Sequence, residues 1–258
     1  MFDFHTLEAD LAGTIFAGHL HFSAVTGSTN LDALAAAQAG APHGSAFFAD
    51  EQLAGRGRSD HAWYSAAGQG LYVSILLRLQ LPMARLPLLP LAAGLAAARA
   101  IDAVSGLKTD LRWPNDLLIG PRKAGGILVE AKPGKSGGSV AVVGIGINVH
   151  QRDFAPGLAT PATSLDLESG RRIPRQALLL HLLKSLQAES LALLDPAEIL
   201  RRVAAVSTWI EGRAVEVHGP QACRGITEGL DADGFLRVRT AEGLIVVQTG
   251  GIRDAESN

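Results

Sequence analysis

Gln52-Leu53-Ala54-Gly55-Arg56-Gly57-Arg58 sets two guanidinium groups two residues apart, each beside a glycine that lets the main chain come close to a ligand. Such a loop suits a phosphate or carboxylate, whose oxygens a guanidinium meets as a planar fork. Taken alone, it reads at least as well as solvated surface. Its surroundings decide. Ser45 to Ala49 and Leu71 to Leu79 read as strands on either side, and Asp50 to Gly70 between them is irregular, with Gly55, Gly57, Gly68 and Gly70. An irregular connection between core strands is where chemistry concentrates.

Upstream of the loop, His19 to Val25 can be a strand, after which Ser28 caps a helix running through Ala39 to Gly40, with Asp32 in its first turn. Downstream, Leu86 to Val104 repeats small and branched apolar residues around most of a helical circumference, which predicts a core helix. Leu107 to Trp113, Gly126 to Ala131 and Ser139 to Val149 read as strands, the last two joined by a hairpin loop at 133 to 138. Continuous apolar runs such as Val140 to Ile147 fit strands buried on both faces. Residues 150 to 172 are polar and irregular, and a helical pattern begins at Pro174 and runs to about Trp209 with a break at Asp195-Pro196. Ala214 to Val217, Gln221 to Leu230, Phe235 to Thr240 and Leu244 to Gln248 are short strands separated by turns, a small β-barrel-like module that must dock to be stable.

The 258 residues are 47% hydrophobic and 19% charged, which suits one sizeable core plus a small appendage. A net charge of -2 provides no field that would draw the chain to nucleic acid or an anionic membrane. Cys223 is the single cysteine, so no internal disulfide forms. Asp3, Glu8 and Asp10 without a basic n-region argue against a signal peptide, and the apolar stretch Leu86 to Ala98 is too short to span a bilayer. A cytoplasmic location is expected.

Three nucleotide motifs fail. Asp60 stands where Gly55-x-Gly57 would need a third small residue, Val149 stands where Gly144-x-Gly146 would need one, and Val129 replaces the first glycine of a P-loop ending at Gly134-Lys135-Ser136. Other residues remain as candidates. Arg112-Trp113-Pro114-Asn115-Asp116 ends a strand and presents an amide and a carboxylate, which read either as turn chemistry or as groups that orient a ligand or hold magnesium. Lys123 enters the apolar strand Gly125 to Val129, where it either snorkels or meets transferring phosphate charge. Gly144 to Asn148 places small residues and an amide at the end of a buried strand. His19 and His21 share a strand face without a third ligand, so a packed or surface pair is the better reading than zinc.

Together, Ser28-Thr29-Asn30, Gln52 with Gly55-Arg56-Gly57-Arg58, Trp63, Trp113-Pro114-Asn115-Asp116, Lys123 with Gly126-Ile127-Leu128-Val129-Glu130, and Gly144 to Asn148 resemble the ordered motif set of biotin protein ligases. By motif the resemblance covers roughly residues 20 to 150, and Arg224-Gly225-Ile226 and Asp233-Gly234 resemble that family's small C-terminal domain. It implies an α+β fold: a mixed β-sheet flanked by helices, like that of class II aminoacyl-tRNA synthetases, over residues 1–210, and an SH3-like β-barrel over 211–258. It implies ATP and Mg2+ as cofactors, biotin as substrate, biotinyl-5'-AMP as intermediate and a biotin carboxyl carrier domain as protein partner.

Carried over by position, Ser28, Thr29 and Gln52 would hydrogen-bond the head of biotin, with Asn30 beside them, and Gly55 and Gly57 would let the loop approach. Arg56 and Arg58 would lie on the reacting carboxylate and phosphate, with Arg58 and Lys123 as the catalytic cations. Trp63 would cover the adenine, and Asn115 and Asn148 would position the nucleotide. For Asp116 the resemblance leaves two roles, assisting magnesium or the incoming lysine. One departure stands out: Asp60 and His61 replace the family's usual glycine and arginine, so one phosphate-facing cation is pH-dependent or absent. Some family members carry an N-terminal winged-helix domain; about twenty residues before the first strand are too few for one, and no nucleic-acid partner is expected. A lipoate or octanoate ligase and a non-catalytic biotin sensor are the competing readings, against which stand Gln52 with the Gly-Arg loop, and Lys123, respectively. Monomer and homodimer are both left open, since no edge strand is identified.

Overall fold

The computed structural model describes residues 2–58, 61–134 and 137–255. Asp60, and the Lys135-Ser136 pair of the hairpin loop, lie outside them.

A seven-stranded mixed sheet organises the chain, formed by β1 (Leu20–Thr26), β2 (Ala46–Gln52), β3 (Gly70–Leu79), β4 (Asp110–Arg112), β5 (Asp116–Ile119), β6 (Arg122–Pro133) and β7 (Ser139–Asn148) in the order β1-β2-β3-β7-β6-β5-β4. Only β1 and β2 run parallel. Central β3 and β7 are paired from Gly70↔Asn148 to Leu79↔Ser139 and are buried almost throughout, as their continuous apolar runs require. Val73, Ile75, Val143 and Ile145 enter the main core, which also holds α3 (Leu88–Ser105) and α5 (Arg175–Ala192). On the opposite face Leu76 and Val142 pack with Ala33 and Ala37 of α2 (Thr29–Gln38). This second face is the important one. Along β7 its residues change from Val140 and Val142 beneath the helix to Gly144 and Gly146 beyond it, and the missing side chains open a trough.

Helix α3 is apolar and long enough by composition to cross a membrane, but most of it is core. Its C-terminus closes at Gly106 in the left-handed conformation, φ 74°.

The C-terminal strands β8 (Glu211–His218), β9 (Cys223–Leu230), β10 (Leu236–Thr240), β11 (Gly243–Val247) and β12 (Gly251–Asp254) form a separate antiparallel sheet, ordered β11-β10-β9-β8-β12, consistent with an SH3-like domain. It docks as its size demands. Gly234, at φ +87°, lies against Leu88 and Leu91 of α3, and its carbonyl accepts the indole N–H of Trp113 at 3.1 Å. Trp113 and Trp209 are each 4% exposed, a burial worth about 3 kcal/mol apiece.

Several elements differ from the sequence expectations. The strand expected over Leu107 to Trp113 is shortened to Asp110–Arg112 and turns back as β5. Residues 150 to 172 are not wholly irregular, because Leu165 is buried and anchors α4 (Leu165–Ser169). Ser28 occupies the N-cap position of α2, yet its side chain makes no capping hydrogen bond. Unforeseen are β12 and α1 (Phe4–Asp10), the latter capped by Asp3, which accepts from the Thr6 N–H, and set in an aromatic cluster of Phe2, Phe4, Phe22 and Phe48. Helix α6 (Pro196–Val206) starts where Asp195-Pro196 breaks the pattern.

Candidate ligand-binding cleft

The glycine trough opens into a cleft of about 710 Å³. At one end hydrogen bonds link side chains from three strands, α2 and the loop after β2. Gln52 Nε2 donates to Ser65 Oγ at 2.8 Å, while Gln52 Oε1 accepts from Thr29 N at 2.9 Å and Thr29 Oγ1 at 3.1 Å. Thr29 Oγ1 and Ser74 Oγ are 2.8 Å apart, Ser74 donates to Asn30 Oδ1 at 2.5 Å, and Asn30 Nδ2 donates to Glu130 at 2.9 Å. Glu130 is ion-paired with Arg56 at 3.2 Å, so this row is close to neutral overall. Gly144 lets Asn30 enter: a Cβ there would stand 2.1 Å from Asn30 Oδ1. The Ser28 hydroxyl, 2% exposed as a residue, has no hydrogen bond among the described residues and lines the cleft.

The other end is cationic. Lys123 Nζ lies 2.5 Å from Asp116 Oδ1, and Arg112 reaches Asp116 Oδ2 through Nη2 at 2.6 Å and Nε at 3.1 Å. Burial alone would raise the Asp116 carboxyl, but Lys123 and Arg112 together hold it below the usual carboxylate range. Arg58 Nη1 donates to Asn115 Oδ1 at 3.1 Å and to the Gly250 carbonyl at 2.9 Å. Burial draws the Arg58 guanidinium below its ordinary value, partly offset by Asp116, and it remains a cation near neutrality. The Trp63 ring lies between the two ends, over Gly146 and beside Gly126, with Lys123 Nζ 5.7 Å from its centroid.

Most residues expected at the site meet in this cleft: Ser28, Thr29, Asn30, Gln52, Arg56, Gly57, Arg58, Trp63, Asn115, Asp116, Lys123 and Asn148. Gly55 does not line it. Its carbonyl accepts the Trp63 N–H at 2.9 Å and a Cβ would stand 2.4 Å from Trp63 O, so Gly55 folds the loop back rather than meeting a ligand. The amides are largely engaged within the protein. Asn115 Nδ2 donates to Ile127 O at 2.7 Å and Asn148 Nδ2 to Thr163 O at 3.0 Å, so both hold walls in place. His61 lines the cleft with Nδ1 2.8 Å from Arg58 O, and His21 is stacked on Phe47 at 4.5 Å.

Two walls escaped the sequence reading. Phe154, Leu158 and Thr160 come from the polar stretch after β7, where isolated apolar residues were the available signal. This stretch also clamps Lys123, whose N–H donates to Pro161 O at 2.8 Å and whose carbonyl accepts from Thr163 N at 2.9 Å. His218 and Thr249 to Arg253 come from the C-terminal sheet, with the Gly250-Gly251 pair as their only mark in the sequence.

A trough with a near-neutral hydrogen-bonding row at one end and cations at the other suits a ligand that is uncharged at one end and anionic at the other. Residues 22–148 match the biotin/lipoate A/B protein ligase family. The chain belongs to the biotin protein ligases of that family. It is 36% identical over 239 residues to the biotin–[acetyl-CoA-carboxylase] ligase of Mycobacterium tuberculosis, covering 89% of this chain and 86% of that one. It is 34% identical over 240 residues to the bifunctional ligase/repressor BirA of Bacillus spizizenii, covering 91% of this chain and 73% of the relative. Among solved structures, the Aquifex aeolicus biotin protein ligase in complex with biotin and ATP superposes with a TM-score of 0.78 at 28% identity, covering 92% of this chain and 99% of that one.

Proposed function

We propose that this chain is an ATP-dependent biotin–protein ligase acting on the carrier domain of a carboxylase. The change of character along one cleft carries the reading, because biotin is uncharged at its ureido head and anionic at its carboxylate. The Gln52–Thr29–Ser74–Asn30 row, with the free Ser28 hydroxyl, matches the head. Arg58 and Lys123 match the carboxylate and the α-phosphate.

In the first step a biotin carboxylate oxygen bonds to the α-phosphorus of ATP and the bond to the β-phosphate oxygen breaks, releasing pyrophosphate. In the second step a lysine amine of the carrier bonds to the acyl carbon, the acyl–phosphate bond breaks, and AMP leaves as the amine loses its proton. Negative charge develops on phosphate oxygens in both steps, and a fixed cation at that point in a cleft shielded from water lowers the barrier. Lys123 is the catalytic residue in this scheme and Arg58 its partner. Trp63 covers the adenine, and Asn115 and Asn148, fixed in the cleft walls, help to position the nucleotide. Asp116 has both oxygens engaged by cations, and the described residues hold no group of three His, Cys, Asp or Glu side chains suited to a metal. Magnesium therefore enters on the nucleotide's phosphates, and Asp116 serves as the anchor of Lys123. Residues 1–210 form the catalytic unit and 211–258 the SH3-like one, in a protein of the cytoplasm.

Incubation with biotin, ATP, magnesium and an apo carrier domain tests the reading: the carrier lysine gains biotin, AMP and pyrophosphate appear. Tight biotin binding without transfer would identify a sensor instead, and transfer of lipoate the related ligase.

A further inference from the structure

Arg112 is absent from the scheme above, yet it is 7% exposed and lines the cationic end of the cleft. Its guanidinium is fixed on three sides. It holds Asp116 Oδ2 through two nitrogens, donates from Nη2 to Thr160 Oγ1 at 2.8 Å, and lies 5.1 Å from the centroid of the Trp209 ring. Asp116 is thus shared, one oxygen to each cation.

The charges decide what this sharing does. Lys123 with Asp116 alone is a neutral pair, and a carboxylate 2.5 Å from an ammonium competes directly with any incoming phosphate. With Arg112 the cluster carries one net positive charge, and Asp116 divides its attraction between two cations. We propose that Arg112 is a positioning residue for adenylate formation: by taking half of Asp116 it leaves the Lys123 ammonium free to turn toward the carboxylate and α-phosphate. This rests on the ligase reading of the cleft. Thr160 and Trp209 hold the guanidinium against Asp116 at the wall of the cleft.

The test is a double-mutant cycle in the full chain, with Arg112→Gln, Asp116→Asn, their combination, and Arg112→Lys, each checked for an unchanged circular-dichroism spectrum. Biotin-dependent pyrophosphate release is read against ATP concentration, and biotin affinity by calorimetry. Arg112→Gln should lower kcat/KM for ATP by about tenfold or more while biotin affinity stays within about twofold, and Arg112→Lys should recover most of the loss. In the Asp116→Asn background the same Arg112→Gln change should cost less than about threefold, since no carboxylate then remains to trap Lys123. An equal cost in both backgrounds, or a loss falling on biotin affinity, overturns the proposal. A second readout does not need the reaction. Labelling of Lys123 by an amine-reactive ester, followed by mass spectrometry, should slow in Arg112→Gln and recover in the double variant. If the wild-type chain releases no pyrophosphate, the ligase reading fails, and the labelling still decides whether Arg112 governs Lys123.

Discussion

The two ends of the cleft are built on opposite plans. At the Gln52 end almost every polar atom already has a partner inside the protein, and the charges of Arg56 and Glu130 cancel. At the Lys123 end three cations, Arg58, Arg112 and Lys123, face one carboxylate, Asp116. A saturated row holds its shape before a ligand arrives and recognises by fit, at little electrostatic cost. Asp116 answers only part of that positive charge, which an anion would complete. On the proposed ligase reading, the first end is expected to govern binding and the second rate.

That division can be broken at either end. Lys123→Ala should remove the charge that meets the transferring phosphate and slow adenylate formation about 10²- to 10³-fold, roughly 3–4 kcal/mol, with biotin affinity little changed; wild-type pyrophosphate release would disprove the assignment. Gly144→Ala places a Cβ 2.1 Å from Asn30 Oδ1, so the row must shift. The substitution should weaken biotin binding about tenfold or more and destabilise the chain by about 1–3 kcal/mol, and calorimetry showing full biotin affinity would mean the row plays no part in recognition. Thr29→Val removes the link between Gln52 and Ser74. About 1–2 kcal/mol of biotin affinity should go, while binding of ATP alone does not change. His61→Arg adds a permanent cation beside Arg58 and should tighten adenylate binding several-fold; equal or weaker affinity in a competition assay would count against it.

The smallest effect is a pH slope in stability. Burial holds His150 below the ordinary imidazole value against the pull of Asp166, and burial with Arg78 nearby does the same to His43, whose Nδ1 also accepts the Arg78 N–H at 3.0 Å. The unfolded chain then takes up these protons first. Stability should climb as pH rises to about 6.5 and level off above it, a Tm change of a few degrees. Asp116, held low, keeps its charge throughout that window. A flat or falling Tm between about pH 5 and 7 would refute the sign.

The parts of this molecule that could be read from sequence are those whose pattern is local. The runs in β3 and β7 and the repeat of α3 announce their own burial, and the ordered motifs place Gln52, Lys123 and Asn148 at one site. What was hidden depends on contacts between distant residues. β12 is four residues long and exists because β8 pairs with it. Phe154 and Thr160 face the cleft only because the chain returns past Lys123. Ser28 reads as a cap, whereas its hydroxyl is left to the cleft. Gly55 belongs to the motif by position but acts on the fold of the loop.

The trough is made by leaving atoms out of β7, and alternate residues of that strand have opposite fates. Gly144 and Gly146 form its floor, while their neighbours Val143, Ile145 and Ile147 lie in the main core. A slip of one residue between β3 and β7 would turn valine and isoleucine into the trough and glycine into the core, erasing the binding site and hollowing the interior together. Any chain that pairs these strands wrongly thus loses its stability with its activity, so a misregistered ligase has no long-lived folded form in which to compete for biotin.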